Sequence, residues 1–279
     1  LFRSTPQRSL DDMGQNGVKT SMLSITNPGV WFGDNAKARK LARECNDYMA
    51  LMKRDHAGKF GGLAALPLPD IDGALAEIAH ALDTLKLDGF GFMTNYNDKW
   101  LGDAAFTPVL AELDRRKATV YVHPNASQCC MAQIPDVTPS VIEFPIDTTR
   151  AVVSLLFSGA LARFPSIKWI FSHAGGTIPM LAERMTNIMQ SQPRLRERIP
   201  NGAMHELRKL HYDLAQGAAA PQLAALTTLV PASQIVFGSD YPFVSAKIAQ
   251  AGIAAWNFDE ATKAAIWRGN AKRLFPAIN

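Results

Sequence analysis

The 279-residue sequence has little cysteine, no long apolar run and no stripe of like charge, and each shortage removes a class of protein. Three cysteines, two of them adjacent (Cys129 and Cys130), cannot make the disulfide framework of a secreted scaffold, so a reducing, cytoplasmic setting is expected. No uninterrupted apolar stretch reaches the roughly 18 residues of a membrane-spanning helix, and no signal peptide is visible. The formal net charge is +4 with the basic residues scattered. Neither a nucleic-acid nor a membrane partner is therefore expected, and an anionic small molecule is weakly favoured. Internal repeats, linkers and low-complexity segments are absent too, which predicts a single domain over residues 1–279.

What is present is a hydrophobic fraction of 47%, enough for a sizeable core, arranged as alternating strand-like and helix-like segments. That alternation is the pattern of a parallel sheet with crossover helices. Strands are expected over 18–25, 60–66, 89–94, 119–122, 168–171, 210–214 and 234–237. Helices are expected over 36–55, 70–85, 104–116, 147–163, 178–190 and 259–270, with a short one over 9–14 ahead of the first strand. The length is close to the roughly 250 residues of an eightfold β/α barrel, so the expected fold class is an α/β barrel of the TIM type. Seven strands leave it one short of closure, and the missing first strand is expected N-terminal to Leu1. The opening Leu1-Phe2-Arg3, without an initiator methionine, agrees with that expectation.

Three short signatures stand where strands should end: Val122-His123-Pro124, Ser172-His173-Ala174-Gly175-Gly176 and Phe237-Gly238-Ser239-Asp240-Tyr241-Pro242. Each follows an apolar run of the kind buried on both faces of a sheet. Delivered at the same end of parallel strands, two imidazoles and one carboxylate converge on a point, which is how a divalent metal site is built at a barrel mouth. Each residue also has a plainer reading. A lone histidine after a strand is commonly a hydrogen-bonded structural residue. Asp240 suits a helix N-cap. His173 reads either as an acid/base group or as a direct ligand. Asp213 is a candidate partner of a ligand histidine or a structural residue. His56, His80, His205 and His211 read as structural. Trp31, Phe32 and Tyr96 read as packing residues or as cover for an aromatic ring. The vicinal thiols Cys129 and Cys130 are poorly placed to chelate, and residues 127–141 read as a lid loop.

Together these motifs identify the chain as similar to the decarboxylase branch of the amidohydrolase superfamily, the aminocarboxymuconate-semialdehyde, gamma-resorcylate and methylsalicylate decarboxylases. The resemblance extends to the segments 60–67 and 143–150 and to Arg268-Gly269-Asn270-Ala271. It implies that His123 and Asp240 are metal ligands after the fifth and eighth barrel strands. It implies that His173 serves as acid/base and that Arg184, eleven positions on, binds substrate carboxylate in the neighbouring subunit of a dimer. The family's His-x-His or Glu-x-His pair on the first strand is missing: none of the six histidines forms such a pair, in keeping with the seven-strand count. Binuclear relatives carry a bridging lysine at the end of the fourth strand, where this chain reads Gly89-Phe90-Gly91-Phe92-Met93-Thr94-Asn95. One divalent ion is therefore expected, and imidazole and carboxylate donors suit Zn or Mn.

The reaction implied is nonoxidative decarboxylation of a small salicylate-type or unsaturated carboxylic acid, with His173 or Asp240 delivering a proton to the carbon that loses carbon dioxide. The same residues also suit a hydrolase or hydratase using metal hydroxide. A barrel lacking its first-strand ligands is a third, non-catalytic reading.

Overall fold

The computed structural model describes residues 5–130 and 134–278. Its strands are β1 (Ser21–Leu23), β2 (Phe60–Ala65), β3 (Gly89–Met93), β4 (Asn95–Tyr96), β5 (Lys99–Trp100), β6 (Thr119–His123), β7 (Lys168–Phe171), β8 (His211–Asp213) and β9 (Ile235–Val236). Seven of them form one parallel sheet in the order β1-β2-β3-β6-β7-β8-β9, while β4 and β5 make a small antiparallel hairpin. Sequential order with helices between strands is the β/α architecture expected from the alternation.

The sheet is curled. Along β6 and β7, Val120, Val122, Trp169 and Phe171 join the large core under the helices. The alternate residues Tyr121 and Ile170 join a second cluster with Met22, Leu63 and Val236. Side chains from both ends of the strand order thus meet on one concave face, where Leu274 and Phe275 cover them. No pairing of β1 with β9 occurs among the described residues, so the sheet described is a seven-stranded arc.

The crossovers are α1 (Pro6–Gln15) ahead of β1, α2 (Asn35–Asp55), α3 (Ile71–Ala79), α4 (Thr107–Arg115), α5 (Pro139–Phe157), α6 (Ala160–Arg163), α7 (Ile178–Ser191), α8 (Pro193–Arg198), α9 (Ala203–Lys209), α10 (Ala220–Leu229), α11 (Ala246–Ala255), α12 (Glu260–Ala264) and α13 (Asn270–Leu274). Caps set several starts. Asp34, Asp70 and Asp259 each accept a backbone N–H from the first turn of α2, α3 and α12. No helix among the described residues is long and apolar enough to cross a membrane.

Three sequence expectations need correction. The helix expected over 147–163 begins at Pro139, a residue suited to a first helical position, and passes through Pro145. It then breaks at Gly159, whose φ of 79° is left-handed, before α6 resumes. The lid loop expected over 127–141 is accordingly shorter and ends at the start of α5, with residues 131–133 outside the described residues. The last helix expected over 259–270 continues instead to Leu274, through a wide turn at Ala265–Gly269. Helices α8, α9, α10 and α11 were hidden in the sequence by short length or weak amphipathic pattern.

Candidate metal centre

The sheet register brings the three signatures to one rim. Met93 pairs with His123, Val122 with Phe171, Phe171 with Tyr212, and Asp213 with Val236. The residues immediately beyond these pairs therefore emerge side by side at the carboxyl ends of the strands, where β/α barrels carry their active sites. His123 closes β6, His173 follows β7 and Asp240 follows β9.

The trio converges. One donor atom from each of His123, His173 and Asp240 lies within 4.8 Å of the others. His123 Nε2 is 3.7 Å from Asp240 Oδ1, and His173 Nε2 is 3.6 Å from Asp240 Oδ2. The imidazole rings meet edge to face at 5.6 Å. A cation bonded at about 2.0–2.2 Å holds its donors roughly 3–3.5 Å apart, so small side-chain shifts suffice to bring the trio onto one ion. His173 Nε2 is buried and makes no hydrogen bond. A buried polar atom left without a partner needs an explanation, and a substrate atom facing it would supply one. The donor set fits a divalent metal.

His123 is oriented by its neighbours. Its Nδ1 lies 3.0 Å from the Pro124 carbonyl, which can only accept, so Nδ1 donates there and Nε2 is the ring nitrogen that faces Asp240. Thr26 Oγ1, beyond β1, lies 3.1 and 3.3 Å from the two ring nitrogens. Phe144 packs edge to face on the same ring at 6.0 Å.

His173 is held through its backbone. Asp213 Oδ1 accepts from the His173 N–H at 2.9 Å and the Ala215 N–H at 3.0 Å, while the Tyr121 hydroxyl donates to Oδ2 at 2.9 Å. Asp213 thus hydrogen-bonds the peptide of His173 and not its ring. The grip matters because His173 and Ala174 take φ values of 55° and 56°, and Asp240 takes 61°. Each left-handed residue of this kind costs about 1–3 kcal/mol and persists where surrounding structure over-determines it, commonly at functional sites. A Cβ on Gly175, whose φ is 76°, would stand 2.5 Å from the Tyr212 ring, so only glycine fits there.

Electrostatics separate the two partners. Burial alone would raise Asp240, but the imidazoles facing it outweigh burial and hold its carboxyl well below the ordinary carboxylate range. Burial works against a charged His173, yet Asp240 and Asp213 raise its proton affinity above the usual imidazole value. Gln216 Nε2 donates to Asp240 Oδ2 at 2.6 Å. His123 and Asp240, but not His173, line a cavity of about 290 Å³ together with Thr26, Tyr121 and Asp213 among others. That is at the small end of the roughly 300–1,000 Å³ of ligand sites.

The structure thus joins His123, His173 and Asp240. Asp240 caps no helix, since Ser245 caps α11. Arg184 is exposed on α7 and does not line the cavity. Thr26, Tyr121 and Gln216 were missed by sequence reasoning, and only their positions after or within strands hinted at them. Tyr96 is core, packed between Phe92 and Phe106. Trp31 donates to Asn35, and Phe32 is exposed. His56 packs on Phe60, His80 reaches Asp47, and His211 meets the Trp169 carbonyl, all structural roles.

Known proteins resemble the chain along nearly its whole length. Residues 4–277 match the amidohydrolase family. A decarboxylase of Penicillium terrestre is 33% identical over 293 residues, covering 99% of this chain and 86% of the relative. A 6-methylsalicylic acid decarboxylase of Penicillium expansum is 34% identical, covering 95% of this chain and 84% of the relative. The crystal structure of a 5-carboxyvanillate decarboxylase of Sphingomonas paucimobilis superposes with a TM-score of 0.89 at 25% identity, covering 98% of this chain and 83% of that one.

Proposed function

The chain belongs to the amidohydrolase family, and we propose that within it the protein is a divalent-metal-dependent, nonoxidative decarboxylase of a small aromatic acid of the salicylate type. The observation that carries this reading is the convergence of His123, His173 and Asp240, with His123 and Asp240 lining a small cavity. The decarboxylase relatives at 33% and 34% identity support the reaction class.

His123 and Asp240 are the residues that would hold the ion, Zn or Mn, one per chain. When bound, such an ion supplies positive charge that neutralises the hydroxyl and carboxylate of the substrate. His173, its proton affinity raised by Asp240 and Asp213, transfers the proton on Nε2 to the ring carbon that bears the carboxylate. That step interrupts conjugation. The carbon–carbon bond then breaks, carbon dioxide leaves, and its electron pair restores the aromatic ring. The buried surroundings of His173 keep bulk water from competing for the proton.

Arg184, solvent-facing on α7, would complete the site of a second subunit by binding substrate carboxylate, which makes the working unit a homodimer. The whole chain acts as one barrel domain, and its thiols suit a reducing cytosol.

The test is to load purified protein with Zn or Mn and incubate it with salicylate-type acids, following carbon dioxide release, and in parallel with lactones, following acid production. Carbon dioxide release with about one ion per chain supports the reading. Acid from lactones without carbon dioxide makes it a hydrolase, and no bound ion overturns both.

A further inference from the structure

The adjacent thiols Cys129 and Cys130 lie outside the metal centre, and we propose that they form a two-electron oxidation site, which a peroxide closes into a vicinal disulfide within the chain. Their Sγ atoms are 2.6 Å apart on the turn Gln128–Cys130, already close to bonding distance. Cys129 is exposed, which gives a small oxidant access. Ser127 Oγ lies 3.2 Å from Cys129 Sγ, and Arg150 Nη2 lies 3.5 Å from Cys130 Sγ. A hydroxyl and a guanidinium nearby favour thiolate over thiol at Cys129.

The two sulfurs are not equivalent. Contact with Cys130 and Ser127 lowers the Cys129 pKa, whereas contact with Cys129 raises that of Cys130. Cys129, the more exposed of the two, is the attacking thiolate and Cys130 the resolving thiol. Cys45, part-buried on α2 with its pKa raised by burial, is an internal control.

The chemistry balances with one peroxide. The Cys129 thiolate attacks a peroxide oxygen, the O–O bond breaks, and the departing hydroxide takes a proton to become water. The product is a sulfenic acid. Cys130 sulfur then attacks Cys129 sulfur, the S–O bond breaks, and the Cys130 proton leaves in the second water. The sulfur pair loses two electrons and the peroxide gains them.

Neighbouring residues have Cα atoms about 3.8 Å apart, below the usual disulfide range of about 4.4–6.8 Å. The ring is therefore strained and readily reopened by a thiol reductant. Its reach extends inward. Arg150 also stands 3.6 Å from Asp147, and Asp147 holds Thr94 and Asn95. Those two residues fix Asn125, two positions beyond His123.

The experiment exposes purified protein to dilute hydrogen peroxide, then measures intact mass under nonreducing conditions and counts titratable thiols. Expected are a mass loss of about 2 Da, a fall from three thiols to one, and recovery of both on adding dithiothreitol. C129S and C130S each abolish the loss, and C45S keeps it. Gains of about 16 or 32 Da without the 2 Da loss mean over-oxidation at a lone sulfur and overturn the proposal. Disulfide-linked dimers, or dependence on Cys45, overturn it as well.

Discussion

Asp147 and Asp240 are both withdrawn from solvent, and the difference between them separates architecture from chemistry. Asp147 is fully buried and saturated. It accepts from the Thr94 hydroxyl, from Asn95 Nδ2 at 2.6 Å and from Trp100 Nε1 at 2.8 Å, with Arg150 at 3.6 Å. Asp240 has one donor in Gln216 and otherwise faces two imidazoles at 3.6 and 3.7 Å, beyond hydrogen-bond length. A saturated carboxylate holds segments together, here the β4–β5 hairpin, α5 and the loop after His123. A carboxylate that faces imidazoles without hydrogen-bonding them has room for an ion.

Substitutions can break or sharpen that contrast. D240N should have the largest effect, because removing even a second partner of a metal ligand typically costs about 10- to 100-fold in affinity. Zn or Mn titration should show a loss beyond that range, together with loss of decarboxylation. Unchanged affinity would place the ion elsewhere. H173N should bind metal and lose about 100- to 10,000-fold in turnover, the usual contribution of a positioned proton donor. Wild-type turnover in H173N with metal bound would remove its assigned role.

D147A should do the opposite of D240N. Leaving Arg150 and three donors around an empty position costs roughly 3–5 kcal/mol in unfolding free energy by urea titration, with metal affinity of the folded protein kept. If D147A lost metal at unchanged stability, the two carboxylates would not divide as described.

Glu112 gives the smallest effect, as a solvent-side control. Its hydrogen bonds with Arg115 and Arg116 lower its pKa to about 2. The folded value lies below the unfolded one, so its contribution is present above about pH 4.5 and fades as pH falls toward 2. Exposure of Arg115 screens the pair, so E112Q should change stability by less than about 1 kcal/mol at neutral pH. The difference between E112Q and wild type should shrink further below pH 4 in thermal melts.

Much of the site was legible because metal chemistry restricts residue type and because strand ends are marked by apolar runs. His123, His173 and Asp240 each follow such a run, and one rim receives all three. Tyr121 and Gln216 carried no comparable signal. Tyr121 reads as one more apolar strand residue, and its bond to Asp213 joins β6 to β8 across 92 positions of sequence. Gln216 acts through a left-handed backbone at φ 49°, a conformation that its residue type does not announce. In the same way α5 was misplaced, since Pro145 reads as a boundary but lies within the helix.

By itself the sequence determined the β/α alternation, the parallel sheet and the chemical identity of the trio, since periodicity and residue type are local properties of the chain. Tertiary structure decided which carboxylate is saturated and which is open to an ion, that Asp213 holds the backbone of His173, and that Cys129 and Cys130 turn their sulfurs together. Those outcomes depend on distances of 2.6–3.7 Å between side chains whose rotamers and surroundings are set by packing.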